Sequence, residues 1–245
     1  MTSTKAITPT EPETAPVAAP WRRRGEAFLP LAVGACLLVL GLPRLIGALV
    51  TEPVRPTLEA LQAGEPISEQ GLARLTGRAA LARNFSSSGN VAVELAAAKL
   101  AEAARLPERA QTERGQLVQD AVALLEEGLA AMPANGFGWA QLAQARLLQD
   151  GPGPAAVDAW RMSVLTAPAE PKLALWRARS GIGLASHFIE GDHALLDRQI
   201  RFAWRWEPER LAAYAKSAGP AVLGAVRTAL IDQPEDLQRF ETMVR

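Results

Sequence analysis

Cysteine is almost missing from this chain of 245 residues, and so is tyrosine, with one residue of each. A single thiol, Cys36, excludes an intramolecular disulfide and any zinc or iron–sulfur site built on several cysteines. Charge of one sign is not in excess either, because 26 basic residues face 26 acidic ones. Nothing in this balance indicates nucleic-acid binding, which depends on many phosphate contacts. Aromatic residues make up 5%, whereas alanine and leucine dominate, and this composition favours helices over sheets.

The chain does have one long apolar run near its N-terminus, residues 28–50 (FLPLAVGACLLVLGLPRLIGALV). As a helix this run would reach about 35 Å, enough to cross a bilayer core of about 30 Å. Pro43 and Arg44 interrupt it. A transmembrane helix tolerates a kink at proline, and an arginine near its end can extend to the headgroups. We therefore predict a single membrane anchor.

The flanks of the apolar run predict its orientation. Arg22–Arg24 precede it, whereas acidic side chains outnumber the single Arg55 just after it. The positive-inside rule then places the N-terminus in the cytoplasm. Residues 1–27 are predicted to be a disordered cytoplasmic tail with a basic flank, because Thr, Pro, Ala and Glu dominate the first twenty. The excess of arginine over lysine indicates a bacterial genome rich in G and C, so residues 51–245 would lie in the periplasm at the inner membrane.

Two other interpretations of the run stay open. A cleaved signal peptide would need a site of small residues, and Ala48–Val50 is a poor one. A lipoprotein cut before Cys36 would leave an apolar segment exposed at the mature N-terminus. Both fit the sequence less well than an uncleaved anchor.

After the anchor, apolar residues recur at spacings of three and four, and no stretch alternates as a strand does. Ser68 is expected to cap one helix, and Asp192 another, just after Gly191 ends the helix before it. The pattern predicts helices at residues 58–63, 68–83, 90–104, 116–131, 135–149, 153–166, 170–185, 192–206, 208–218, 220–231 and 234–243.

Three prolines that end helices are preceded by small or apolar residues at the same offsets. Pro133, Pro168 and Pro208 are 35 and 40 residues apart. Offsets of −12, −8 and −5 from each proline give the triples Ala121, Leu125, Gly128; Ala156, Trp160, Ser163; and Leu196, Ile200, Ala203. Small residues let two helices approach closely, and the large residue between them fills the gap. We therefore expect neighbouring helical pairs to pack side by side.

This spacing resembles the tetratricopeptide repeat (TPR), a helix–turn–helix unit of about 34 residues. Trp139, Leu142 and Ala143 stand where that family has Trp and then Leu-Gly, and Arg146 replaces a usual Tyr. The resemblance implies an all-α fold of antiparallel helical hairpins, stacked as a short TPR-like α-solenoid after one transmembrane helix. The expected layout is linker and first helices at 51–89, repeats at 90–208 and capping helices at 209–245.

The same resemblance implies a concave groove lined by the first helix of each unit. Either Ala174 or Trp176 fills the Trp position of the next unit, so the second half of the groove depends on that register. The positions that correspond to groove residues are Phe137, Ala140, Gln144, Leu148, Lys172, Leu175 and Arg179.

One cluster has metal-ligand chemistry, the segment His187–His193 (HFIEGDH). Its spacing is not that of a zinc helix, and Asp192 has a simpler role as a helix cap. No serine lies in a nucleophile-elbow motif, and no glycine-rich loop has phosphate-binding context. We predict no catalytic residue, no metal and no cofactor. An enzyme built on helices would need two facing carboxylates in a cleft.

Arg198, Arg201 and Arg205 share one face of a predicted helix, where they would bind an anionic partner or simply contact solvent. Trp204 and Trp206 are expected to pack in the core or between hairpins rather than to form a sugar platform.

Two functional hypotheses follow. The first is a membrane-anchored periplasmic scaffold that binds a protein partner in cell-envelope assembly, such as polysaccharide synthesis or export; cytochrome maturation is a less favoured pathway. The second is a constitutive structural subunit of an inner-membrane complex. An apolar stripe on helices 220–231 and 234–243 would favour the second, and a polar outer face the first.

The topology is testable with reporters fused after Arg245. We expect alkaline phosphatase, which is active only outside the cytoplasm, to be active there, and a cytoplasm-only reporter to be inactive, because the arginines hold the N-terminus inside. The reverse pattern would overturn the predicted orientation.

Overall fold

The computed structural model describes residues 20–62, 65–85 and 88–245. Most of the predicted tail, residues 1–27, lies outside these ranges, so its disorder stays a prediction. All regular structure among the described residues is helical, which confirms the all-α class. These residues divide into two units, one ending at Pro43 and the other running Arg44–Arg245.

Twelve α-helices and two short 3-10 helices occur in the described residues. The predicted helices after the anchor are all found, with bounds shifted by a few residues. The α-helices are α1 (Pro20–Thr51), α2 (Arg55–Gln62), α3 (Glu69–Arg83), α4 (Gly89–Ala103), α5 (Gln111–Ala131), α6 (Gly136–Asp150), α7 (Pro154–Thr166), α8 (Pro171–Leu184), α9 (Glu190–Trp206), α10 (Pro208–Ala218), α11 (Pro220–Leu230) and α12 (Pro234–Val244).

The apolar N-terminal run is helical, as the sequence predicts, and α1 continues through Pro43 to Thr51. One described stretch, Ala32–Leu61, is long and apolar enough to cross a membrane by length and composition. Large apolar side chains of its first part, such as Leu38 at 66%, are exposed, whereas Val54 near its end is buried. A signal sequence near the N-terminus meets the same criterion, and both interpretations of the run agree with this helix.

In the second unit, consecutive helices pack against each other. The most extensive pairings join α4 to α5, α6 to α7 and α8 to α9. One large apolar core extends from Val93 on α4 to Phe240 on α12. A smaller core around Leu72 and Leu75 joins α3 to the segment before α2 and to α4. The chain therefore builds its interior from neighbouring helices in sequence order.

The nine residues of the three repeated triples are all buried. Gly128 shows why a small residue is needed there. A Cβ at this position would lie 2.8 Å from the carbonyl oxygen of Gly89 and 2.9 Å from Cγ2 of Val93. A backbone carbonyl cannot turn aside as a flexible side chain can. The missing side chain of Gly128 therefore sets the distance between α4 and α5.

Arg177, on α8, is fully buried. Its guanidinium donates to the carbonyl oxygens of Ser163 and Ala167, at 2.6 Å each, and to Oγ of Ser163 at 3.0 Å. These acceptors lie at the C-terminal end of α7, where the helix dipole is negative, and the Ser163 carbonyl also accepts from the N–H of Ala167 at 3.3 Å. Burial lowers the pKa of the Arg177 side chain to about 10, so it stays protonated at neutral pH.

Two further hydrogen bonds extend this contact to a third helix. Oγ of Ser163 donates to the carbonyl of Gly136 at the start of α6, at 2.8 Å. Nε1 of Trp160 on α7 donates to the carbonyl of Arg177 at 3.0 Å. The start of α6, the end of α7 and the middle of α8 are therefore held at one point.

Some helix starts differ by two or more residues from the predicted ones. Helix α2 begins at Arg55 rather than at 58, and α5 at Gln111 rather than at 116. Arg114 donates to the carbonyl of Leu106 in the loop before α5, at 2.5 Å. Helix α9 begins at Glu190, and Ile189 rather than Asp192 occupies its N-cap. The predicted cap at Ser68 is confirmed, because its Oγ accepts from the N–H of Gly71 at 3.0 Å.

We expect Gly128→Ala to lower the free energy of unfolding by about 1–3 kcal/mol, because the added methyl group forces α4 away from α5. Gly115→Ala is the matched control on the same helix, since no heavy atom lies within 4 Å of its Cβ position. It should be neutral or stabilise by up to about 1 kcal/mol through helix propensity. Thermal unfolding of the full chain in detergent, followed by far-ultraviolet circular dichroism, compares the two. Equal effects would contradict the close approach of the helices.

Candidate interaction surfaces

The side chains of the His187–His193 segment are engaged locally. The His187 ring bonds to the Ser186 hydroxyl, and the His193 ring packs edge-on against Phe188 with centroids 5.5 Å apart. No group of three or more His, Cys, Asp or Glu residues in the described parts of the chain is placed to hold a metal ion. The segment therefore forms the start of α9 and the contacts that pack it in place.

Asp192 lies in the first turn of α9 and is buried. Its two carboxylate oxygens accept from Nε and Nη2 of Arg161 on α7, at 2.6 and 2.8 Å. Oδ2 also accepts from the N–H of Ile189 at 3.1 Å. The hydrogen bonds from Arg161 hold the pKa of the Asp192 carboxyl below its usual range. Asp192 therefore stabilises the start of α9, as expected, although it lies within the helix rather than at its N-cap. Its bonds with Arg161 also join α9 to α7.

Four of the predicted groove residues line one cavity between α6 and α8: Ala140, Lys172, Leu175 and Arg179. Its volume is about 160 Å³, smaller than the roughly 300 Å³ at which ligand pockets usually begin. The remaining three lie on α6 outside the cavity lining: Phe137, Gln144 and Leu148. Only part of the predicted groove is therefore concave.

The chain's own side chains narrow this groove. Leu61, at the end of α2, lines the cavity, and so does Trp176, whose Nε1 donates to Oε1 of Gln144 at 3.1 Å. The Arg179 guanidinium lies over the Tyr214 ring, 4.5 Å from its centroid. A partner side chain has access to the exposed Lys172 and to the opening beside it, whereas Ala140 and Leu175 are buried.

The three arginines that were expected to bind an anionic partner line a larger cavity, of about 430 Å³, which we call the arginine cleft. Its other walls are Val164, Leu165 and Pro168 at the end of α7, together with Leu195, Gln199, Phe202 and Gln233. Nη1 of Arg201 donates to the carbonyl of Ala229 at 2.9 Å. The side chains of Arg198 and Arg205 are exposed, and no ion pair between described residues includes them.

Gln199 and Phe202 belong to the arginine cleft but were not predicted as site residues. Each is next to one of the predicted arginines, Arg198 and Arg201, in the sequence. The helical pattern predicts that Gln199 lies on the buried side of α9, but it does not identify a site residue. Its Nε2 donates to the carbonyl of Pro168 at 3.3 Å, whereas its buried Oε1 has no hydrogen-bond partner among the described residues. Leu165 and Gln233 come from distant segments, and no local signal places them here.

The two neighbouring tryptophans have different environments. Trp204 is buried with its ring edge-on to Phe240, 5.8 Å between centroids, as expected of a core residue. The expectation for Trp206 is wrong, because its side chain is 56% exposed. It contacts Phe202, with centroids 6.2 Å apart, beside the arginine cleft.

A third cavity, of about 410 Å³, has three carboxylates among its lining residues, Glu52, Glu59 and Glu94. Arg55 lies within 3.5 Å of a carboxylate oxygen of both Glu52 and Glu59. Burial raises the pKa of the Glu94 carboxyl.

Comparisons of the chain with protein-family models, with curated proteins and with solved structures give no match.

The Asp192 contact predicts a pH dependence of stability. Its folded-state pKa lies below the unfolded value, so the stabilisation is present above about pH 4 and is lost as pH falls through the folded-state pKa. We expect Asp192→Asn to lower the free energy of unfolding by about 2–4 kcal/mol at neutral pH, since it breaks a buried ion pair. The deficit should shrink below about pH 4.

The matched control is Asp158→Asn. Asp158 pairs with the same Arg161 at 2.7 Å, but its side chain is 69% exposed. A surface pair of this kind contributes at most about 1 kcal/mol. Unfolding of the full chain in detergent at several pH values separates the two variants. A deficit for Asp192→Asn that does not change with pH would show that the carboxylate charge is unimportant.

Proposed function

We propose that this chain is a membrane-tethered adaptor. Its N-terminal helix would anchor it in a bacterial inner membrane, with the N-terminus in the cytoplasm. Its periplasmic helices would form a short tetratricopeptide-like array that binds a protein partner in a cell-envelope assembly, such as one that makes or exports polysaccharide. Tethering raises the local concentration of the domain at the membrane, so that even a weak surface can recruit a partner.

The outer face of the terminal helices is the observation that favours an adaptor. Within residues 220–245, all of which the structure describes, Ile231 is the only large apolar side chain that is exposed. Phe240 is fully buried, and Arg227 and Glu241 pair on the outside at 2.6 Å. A repeat array needs a polar cap of this kind to stay soluble. A subunit buried permanently in a complex would show an apolar stripe there instead.

The packing of the helical pairs supports the tetratricopeptide-like part of the proposal. The repeated residues before the three prolines are all buried, and each triple lies in the second helix of a pair: α5, α7 and α9. In such arrays a repeat contacts mainly its neighbours. The contacts between consecutive helices agree with this arrangement.

The second candidate is a constitutive subunit of an inner-membrane complex. Trp206 and Leu165 are each 56% exposed, and Ile231 is 66% exposed. A permanent partner would cover these side chains. They are few, however, and some exposed apolar residues are normal on a free protein.

Site-specific photocrosslinking in cells tests the adaptor. Probes replace Phe137 and Lys172, and a control probe replaces the exposed Arg109 in the loop between α4 and α5. We expect both groove probes to capture the same envelope protein and the control probe to capture none, because capture requires the partner within a few ångströms. If the groove probes capture nothing while a probe at Ile231 captures a protein, the constitutive subunit is the correct interpretation.

A further inference from the structure

We infer that the arginine cleft docks an acidic amphipathic helix of a partner protein. The cleft lies on α7 and α9, together with the segment before α12, whereas the groove lies on α6 and α8. The inference thus concerns a second surface and does not depend on what the groove binds.

The charge in the cleft is arranged along a line. Arg198, Arg201 and Arg205 follow one face of α9 at steps of three and four residues, over about 10.5 Å of helix axis. The lining residues of the cleft include no Asp or Glu. Arg201 is held in place by the Ala229 carbonyl, while Arg198 and Arg205 extend into solvent. Guanidinium groups bind carboxylates in a forked geometry, so a row of carboxylates is the matching ligand.

Apolar surface accompanies this charge. Leu165 lines the cleft with 56% of its surface exposed, and Phe202 lies beside the exposed Trp206. The cleft also contains the buried Oε1 of Gln199, which has no hydrogen-bond partner in the described parts of the chain. An incoming hydrogen-bond donor would satisfy this acceptor after a side-chain shift of the kind common on binding. The occupant must therefore bring carboxylates, an apolar side chain and a donor.

An amphipathic helix has these groups at the required spacing. Carboxylates at steps of three and four residues share one face, with apolar residues along its border. A helix that places its apolar face in a groove is a recurring way of binding a protein. A lipid bilayer offers phosphates as well, but its headgroup surface is polar. The apolar Leu165 in the lining therefore favours a helix, whose border residues are apolar.

The test selects the ligand without assuming its sequence. A display library of amphipathic helical peptides, randomised at their surface positions, is panned against the full-length protein in detergent micelles. We expect the selected peptides to carry Asp or Glu at steps of three and four residues beside an apolar position. Fluorescence polarisation then gives the affinity of a selected peptide and of its version with Gln and Asn in place of the acids.

Two protein variants of equal charge complete the test. Arg198→Gln with Arg205→Gln should weaken binding of the acidic peptide about tenfold or more, since two charged contacts are lost. Arg74→Gln with Arg78→Gln, at exposed arginines of α3, should leave it unchanged. Circular dichroism confirms that both variants fold.

Three results would overturn the inference. The library could yield no acidic peptides, or the two double variants could bind the peptide equally. The third is that peptides fail while vesicles of phosphatidylglycerol and phosphatidylcholine bind in a manner that needs Arg198 and Arg205, which would make the cleft a lipid-headgroup site. None of these results alters the capture expected at Phe137 and Lys172.

Discussion

The buried guanidinium of Arg177 holds the centre of the helical unit together. A buried charge is very unfavourable unless hydrogen bonds satisfy it, and here the acceptors are the last carbonyls of α7 and a serine hydroxyl. These carbonyls lie at the negative end of the α7 dipole, which favours a positive charge there. The same serine reaches the start of α6, and Trp160 reaches back to α8. The register of three helices is therefore fixed at one point.

Much of this fold could be predicted from local patterns. Small and large residues at fixed distances before a proline identify the faces that are buried, because close helix packing depends on side-chain size. The role of Arg177 could not be predicted, since an arginine in a helix is usually assigned to solvent. The sequence pattern predicts the start of α9 two residues too late, because a glycine such as Gly191 is expected to end the preceding helix. That helix ends at Leu184, and Gly191 lies in the first turn of α9.

The two surfaces differ in how far sequence could predict them. The three arginines share a helix face by spacing alone, and the structure brings them to one cleft. The groove positions followed from the resemblance, but Leu61 comes to that cavity from a helix far away in the sequence. Long-range contacts of this kind leave no mark in local periodicity. The first helices of the pairs thus line a small opening, while the second helices line a larger, charged one.

Arg177 also affects the order in which the chain can fold. Synthesis completes α6 and α7 before residue 177 has left the ribosome, so the end of α7 first faces water. Arg177 can bond to the end of α7 only after α8 has been made. It then joins α8 to the pair formed by α6 and α7. The pair formed by α6 and α7 is therefore completed by the helix that follows it.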